Sequence, residues 1–280
     1  MQVNRLPSID RHPPWNPDMT ASSAPTPSHA RPLVLVTGGS RGLGRNAALA
    51  LAARGVDVIV TFRSAATEAA EVVAGIDRLG ARGAALRLDT AETATFPAFV
   101  EQVRALLGRD GRAERLHALV NNAGVGVHAP FVDTTEAQFD AMVAVHLKGP
   151  FFLTQALLPL IADGGRVLNV SSGLTRFALP GYAAYAAMKG AIEVLSRYQA
   201  KELGARGIAV NTLAPGAIET DFGGGAVRDT ASLNAFVAAQ TALGRAGLPD
   251  DIGPLVASLL DASHGWISGQ RIEASGGMFL

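Results

Sequence analysis

Tyr185 and Lys189 stand at i and i+4 in the run Tyr185-Ala186-Ala187-Met188-Lys189, inside a stretch of helical periodicity. That spacing puts both side chains on one helix face and lets them reach the same cleft. A phenol with a free pKa of about 10 is a poor base at neutral pH. A neighbouring ammonium favours the phenolate, and lowering the pKa by ~3 units takes roughly 4 kcal/mol of differential stabilisation. Such a group can give or take a proton at a carbonyl or alcohol oxygen. Ser172, in Ser171-Ser172-Gly173 just upstream, can hydrogen-bond the same oxygen and hold it in place. Alone, Tyr-x-x-x-Lys also reads as an ordinary amphipathic helix face, so its meaning depends on what accompanies it.

The elements that would position these groups alternate along the chain. Short β-type runs fall at 33–37, 57–62, 84–89, 117–121, 165–171, 208–214 and 270–274. Helix-like stretches lie near 43–54, 66–80, 93–108, 136–162, 183–204 and 249–261. Continuous apolar runs such as Leu33-Val34-Leu35-Val36 and Val58-Ile59-Val60 fit strands buried on both faces of a parallel sheet. The alternation predicts an α/β fold, a doubly wound parallel sheet of about seven strands with helices on both faces. Residues 32–280 read as one domain. Residues 1–31 hold six prolines and no apolar period, and read as a flexible arm in which Met19 offers an alternative start.

At the head of the domain, the first strand runs into Thr37-Gly38-Gly39-Ser40-Arg41-Gly42-Leu43-Gly44. Gly38 would permit the turn, Gly42 the approach of a pyrophosphate, and Gly44 close packing of helix on strand. The helix N-terminus would then offer free N–H groups to the phosphates. The second strand ends in Thr61-Phe62-Arg63-Ser64, without the carboxylate that serves a ribose 2′-hydroxyl. Arg41 and Arg63 suit a 2′-phosphate, so NADP(H) is favoured and NAD(H) is the alternative. If the two arginines are only solvated surface groups, that preference falls. Asp89, in Leu88-Asp89-Thr90, could accept a bond from the adenine amino group. Asn122, Ala123 and Gly124, after Asn121, would lie along the cofactor, and a strand-end capping role for the Asn amide is compatible with that.

Taken in this order, the glycine loop, Asn121-Asn122-Ala123-Gly124, Ser172 and Tyr185-x-x-x-Lys189 resemble the short-chain dehydrogenase/reductase family, over nearly all of 32–280. The resemblance implies a Rossmann fold, with Tyr185 as acid/base, Ser172 positioning the substrate oxygen, and Lys189 binding the nicotinamide ribose while tuning Tyr185. It also implies that the segment Pro215-Gly216-Ala217-Ile218-Glu219-Thr220 wraps the nicotinamide, with Ile218 and Thr220 near its carboxamide. One position departs from the pattern. Where relatives usually carry an Asn that holds a proton-relaying water, this chain has His146, which either takes over the relay near neutral pH or is a packed helix histidine. The resemblance further implies a homo-oligomer, commonly a tetramer built on the helices near 136–162 and 183–204. The tail Gly277-Met278-Phe279-Leu280 could likewise reach a neighbouring subunit.

On the substrate side, Gly223-Gly224-Gly225 reads as a lid hinge or as a merely flexible loop. Val127, His128, Phe177, Leu179, Tyr182 and Phe222 indicate an apolar pocket with a few polar contacts. The expected reaction is reduction of a carbonyl, or oxidation of an alcohol, on a small molecule. A 3-oxoacyl thioester or simple ketone, a sugar or polyol, and a non-catalytic dinucleotide sensor are the competing readings. With 24 basic and 24 acidic residues, the balance argues against a nucleic-acid partner. The absence of cysteine excludes disulfides and thiolate chemistry, and the six histidines show no metal-ligand pairing. The longest apolar run, 151–161, is too short and too interrupted for a membrane span, so the expected compartment is the cytoplasm.

Overall fold

The computed structural model describes residues 31–280, so the arm expected over 1–31 lies almost wholly outside the described residues. Seven strands, β1 (Leu33–Val36), β2 (Asp57–Phe62), β3 (Gly83–Arg87), β4 (Leu116–Asn121), β5 (Ile161–Val170), β6 (Ala209–Pro215) and β7 (Arg271–Ala274), form one sheet in the order 3-2-1-4-5-6-7. Every pairing is parallel. The order reverses between β1 and β4, and the crevice beyond the carboxyl ends of those strands is where such sheets bind ligands.

The helices are α1 (Gly42–Ala53), α2 (Ala66–Arg78), α3 (Phe96–Leu106), α4 (Glu136–Val143), α5 (Gly149–Leu157), α6 (Ala183–Leu203), α7 (Ala226–Asp229), α8 (Ala231–Ala239) and α9 (Pro249–Leu259). Strand β1 shows why its apolar run is unbroken. Val34 and Val36 enter a core under α1, α2 and α9, while Leu33 and Leu35 enter the opposite core beneath α3 and α5. Both faces of the central strands are therefore dry, and an alternating pattern would place polar groups there without partners.

Two expectations need correction. The helix expected over 136–162 is three pieces, because a π turn at Ala144–Lys148 separates α4 from α5 and the chain enters β5 at Ile161. Ile161 leaves the helix because its fully buried side chain pairs across to Leu116. Residues 136–160 together are long and apolar enough to span a bilayer, contrary to the reading of 151–161 alone. Met142, Leu153 and Leu157 of that stretch, however, are fully buried in the protein. The segment after β6, expected as a glycine-rich insertion, carries α7 and α8, whose shortness and glycine-rich approach hid them.

Candidate active site

The glycine loop is pinned from below. Thr37 Oγ1 accepts from the backbone N–H groups of Asn122 (2.9 Å) and Ala123 (3.0 Å). The Asn122 amide donates to the carbonyls of Thr37 (2.8 Å) and Gly38 (3.2 Å). Its side chain thus caps the loop, as the strand-end reading of this amide expects. From β2, Thr61 holds Gly38 through its hydroxyl (3.2 Å) and Gly39 through its carbonyl (2.8 Å). Thr37 and Thr61 were missed in the sequence; a buried hydroxyl at a strand end is the only mark they carry.

The glycines then divide the work. Gly38 takes the left-handed conformation (φ 64°) against Ala123. A Cβ on Gly44 would overlap the Gly38 carbonyl oxygen and the Asn122 amide, so this glycine packs the helix onto the loop itself. Gly42 is left-handed (φ 55°), and a Cβ there would meet only Thr220, in ordinary contact at 3.7 Å. At Arg41, the N-cap of α1, no side chain caps the helix, and its first turn holds no acid. Free N–H groups, positive dipole and open approach are what a pyrophosphate requires, so these residues fit a dinucleotide.

The remaining predicted cofactor residues fall around this cradle. Arg41, Arg63 and Ser64 are exposed at its outer rim, and Arg87 of β3, passed over in the sequence, joins them by donating from Nε to the Arg63 carbonyl (3.2 Å). Ser40 is buried in the loop, and Leu43 packs on the core. Asp89 accepts from the Ala91 N–H (3.0 Å), and Thr90 is buried with its carbonyl beneath Gly149. Pro215 ends β6, Gly216 has no room for a side chain against Ser275, and Ile218 bridges to Gly247.

At the neighbouring strand ends, α6 turns Tyr185 and Lys189 inward together, at 7% and 5% exposure. Lys189 Nζ donates to the Val170 carbonyl (2.7 Å) and lies 5.5 Å from the centre of the Tyr185 ring. Burial lowers the lysine to about 7. Burial likewise pushes the Tyr185 phenol up, Ser172 pulls it back by hydrogen bonding, and Tyr182 adds to the rise. Lys189 is not among the groups acting on the phenol in the chain alone: burial raises it, and the group that lowers it is Ser172. The phenol is held as an acid, the form that protonates a carbonyl oxygen during reduction.

Ser172 caps a short 3₁₀ turn, Gly173–Thr175, its Oγ accepting from the Leu174 N–H (3.2 Å). With a lone pair engaged by the backbone, the hydroxyl keeps its proton to donate outward. Tyr185 and Ser172 can thus address one oxygen from two sides.

His146 sits in the π turn, 1% exposed, its ring edge-on to Tyr185 at 5.1 Å between centres. Single-turn π insertions often mark functional sites. Here Nε2 bonds the Val125 carbonyl (2.8 Å), while Nδ1 is buried without a protein partner among the described residues. Gly124 makes room for the ring, since a Cβ there would stand 2.9 Å from Cε1. Burial, with Lys189 adding repulsion, lowers His146 to about 3. The ring is therefore held neutral, with one nitrogen engaged by Val125 and the other without a protein partner among the described residues.

The predicted substrate-side residues split up. Val127 packs beside Tyr185 and Met142, and the half-exposed Phe222 lies 5.5 Å from the Tyr185 ring. Leu179 and Tyr182 line a cavity of about 300 Å³ with Phe131 and Leu174, while His128 meets the Tyr182 ring edge-on. Phe177 instead stacks on Phe279. In the tail, Met278 is buried against its own chain and Leu280 projects from it. Gly223, Gly224 and Gly225 are all left-handed (φ 61°, 75° and 80°).

Residues 38–279 match the family model described as enoyl-(acyl carrier protein) reductase. A hydroxynaphthalene reductase-like protein of Metarhizium brunneum is 33% identical over 269 residues, covering 92% of this chain and 98% of its own. Among solved structures, the angucycline C-6 ketoreductase LanV with bound NADP superposes with a TM-score of 0.83 at 37% identity, over 89% of this chain and 95% of that one. A short-chain dehydrogenase/reductase from Serratia marcescens gives 0.83 at 29% identity, over 90% and 100%.

Proposed function

The chain belongs to the short-chain dehydrogenase/reductase family, and on that premise we propose that it uses NADPH to reduce a carbonyl of a polycyclic aromatic ketone to a secondary alcohol. The observation that carries the reading is the burial of Tyr185 together with Lys189, whose Nζ lies 5.5 Å from the ring, in a fold that also holds an uncapped, glycine-lined N-terminus at α1. A nicotinamide coenzyme bound in the glycine cradle supplies the hydride. Ser172 and Tyr185 hold the carbonyl oxygen, Tyr185 gives it the proton, and Lys189 stands behind the phenol as the next proton-bearing group.

The substrate class rests on two supports. LanV is an angucycline ketoreductase, and the fungal relative is named for hydroxynaphthalene reduction. Val127 and Phe222, which pack beside Tyr185, are apolar and aromatic, which suits a flat ring system better than a sugar. Phe222, followed by three left-handed glycines, would then be the moving face of a lid. A panel of bicyclic and polycyclic ketones, oxoacyl thioesters and sugars, read as NADPH consumption, tests this. Turnover confined to sugars would replace the substrate class, and no turnover at all would favour the dinucleotide sensor.

Arg41 and Arg63 are assigned to the 2′-phosphate. Replacing either by Ala is expected to weaken NADPH binding about tenfold, in line with the loss of a charge-assisted hydrogen bond, and to leave NADH nearly unchanged. Fluorescence titration with both coenzymes gives the answer, and equal losses for the two would remove the assignment.

A homotetramer is part of the same reading. Half-exposed Phe151 and Phe152 on α5 and the more exposed Tyr198 on α6 are the supporting surface. Light scattering is expected to give four times the chain mass, and a monomer would refute it.

A further inference from the structure

Helix α6 carries a third chemical group in register with Tyr185 and Lys189. Glu193 lies one further turn along the same face, and its side chain is only 13% exposed. One carboxylate oxygen, Oε1, collects three donors: the hydroxyls of Ser171 and Thr175 (each 2.7 Å) and Arg271 Nε (2.8 Å). Ser171 and Thr175 are the residues that bracket the turn presenting Ser172. Arg271, from β7, reaches the same turn with Nη2, which donates to Thr175 Oγ1 (3.1 Å) and approaches the Ser172 carbonyl (3.5 Å).

The chain of ions continues outward. Arg271 donates to Glu273 Oε2 (2.8 Å), which also takes Arg176 Nε (2.9 Å). Arg176 then donates to the carbonyls of Phe279 (3.0 Å) and Met278 (2.5 Å). Among the described residues, Phe279 is one of two non-glycine positions held left-handed (φ 53°). Its ring lies against Phe177 and, more distantly, Phe236 of α8. A strained residue that is over-determined by its surroundings often marks a functional constraint. Charge-assisted bonds in a partly dry setting are stronger and more directional than surface pairs.

We infer that Glu193 and Arg271 are positioning residues for Ser172: together they lock the turn that presents its hydroxyl and fasten that turn to the C-terminal segment. The inference rests on Ser172 acting at the substrate oxygen, as proposed above. Glu193 touches neither substrate nor coenzyme; it works through the turn, and a hydroxyl displaced by a fraction of an ångström loses the transition state before it loses ground-state binding.

A double-mutant cycle tests it, using full-length protein and the best ketone from the panel. Glu193→Ala is expected to lower kcat about tenfold, with KM and NADPH Kd within about twofold of wild type. In a Ser172→Ala background the same substitution is expected to cost less than about twofold, because the group being positioned is gone. Glu193→Gln keeps an acceptor oxygen for Ser171 and Thr175 and should recover most of kcat. Arg271→Lys, a single ammonium in place of a fork, should lose about threefold. These two milder variants carry the test if Glu193→Ala does not fold. Equal losses in both backgrounds, or no loss of kcat, overturn the inference while leaving the role of Ser172 intact. If Ser172→Ala itself leaves kcat unchanged, the reading of the site fails and this inference fails with it.

Discussion

Tyr185→Phe is expected to lower carbonyl reduction by about 10³-fold while NADPH still binds with wild-type affinity. The substitution keeps the ring, so the packing against His146 and Phe222 survives and only the hydroxyl is lost. Neither of the other two phenols is placed to take over: Tyr182 precedes the first turn of α6 and packs toward His128, and Tyr198 lies exposed further along the helix. Ser172 would still hold the substrate oxygen, but a serine hydroxyl is far too weak an acid to protonate it. The measurement is NADPH consumption with the best panel substrate, together with a coenzyme titration. Activity retained within tenfold would remove Tyr185 as the acid, and lost coenzyme binding would show that the ring mainly supports the cradle.

The second large effect concerns stability in acid. His146 has an ordinary value of 6.5 and is lowered to about 3 in the folded chain. Between those two values the unfolded chain holds a proton that the folded chain refuses, so stability rises with pH across this window. The contribution is complete above pH 6.5 and is lost progressively as pH falls toward 3. At pH 4.5 the loss is about 3 kcal/mol, from two pH units at 1.36 kcal/mol each. His146→Asn removes the titrating group, so its stability should fall less between pH 7 and 4.5, by about that amount. Urea unfolding of both proteins at the two pH values decides the matter. Equal acid sensitivity would mean that the ring is not held neutral by burial. Glu273, lowered from 4.5 to about 2 chiefly by Arg176, contributes stability that is lost only as pH falls from about 4.5, and it is common to both proteins, so its effect cancels in the comparison.

The two residues illustrate how differently parts of this site could be read in advance. Tyr185 and Lys189 were legible because an i, i+4 pair shares a helix face in any α-helix, whatever packs around it. The strands were legible for a similar local reason: a run such as Leu33-Val34-Leu35-Val36 can be satisfied only with both faces covered. His146 was visible as a departure from a pattern, but its protonation depends on burial, on the Val125 carbonyl and on Lys189, none of them near it in the chain. The lowering of Tyr185 by Lys189 was expected from spacing alone. Spacing carries no information about desolvation, and desolvation dominates.

What the sequence determined by itself was the alternation of elements, the phosphate-binding turn and the face shared by the reacting pair, because each depends on residues within a few positions of one another. Only the tertiary structure decided the rest. It assembled Thr37, Thr61 and Asn122 from three strand ends into one clamp beneath the glycine loop. It folded the tail back until Arg176 could hold its carbonyls, and it drew Glu193 and Arg271 together across 78 positions of chain. Those contacts join groups distant in sequence, and their strength is set by how much water the surrounding packing excludes.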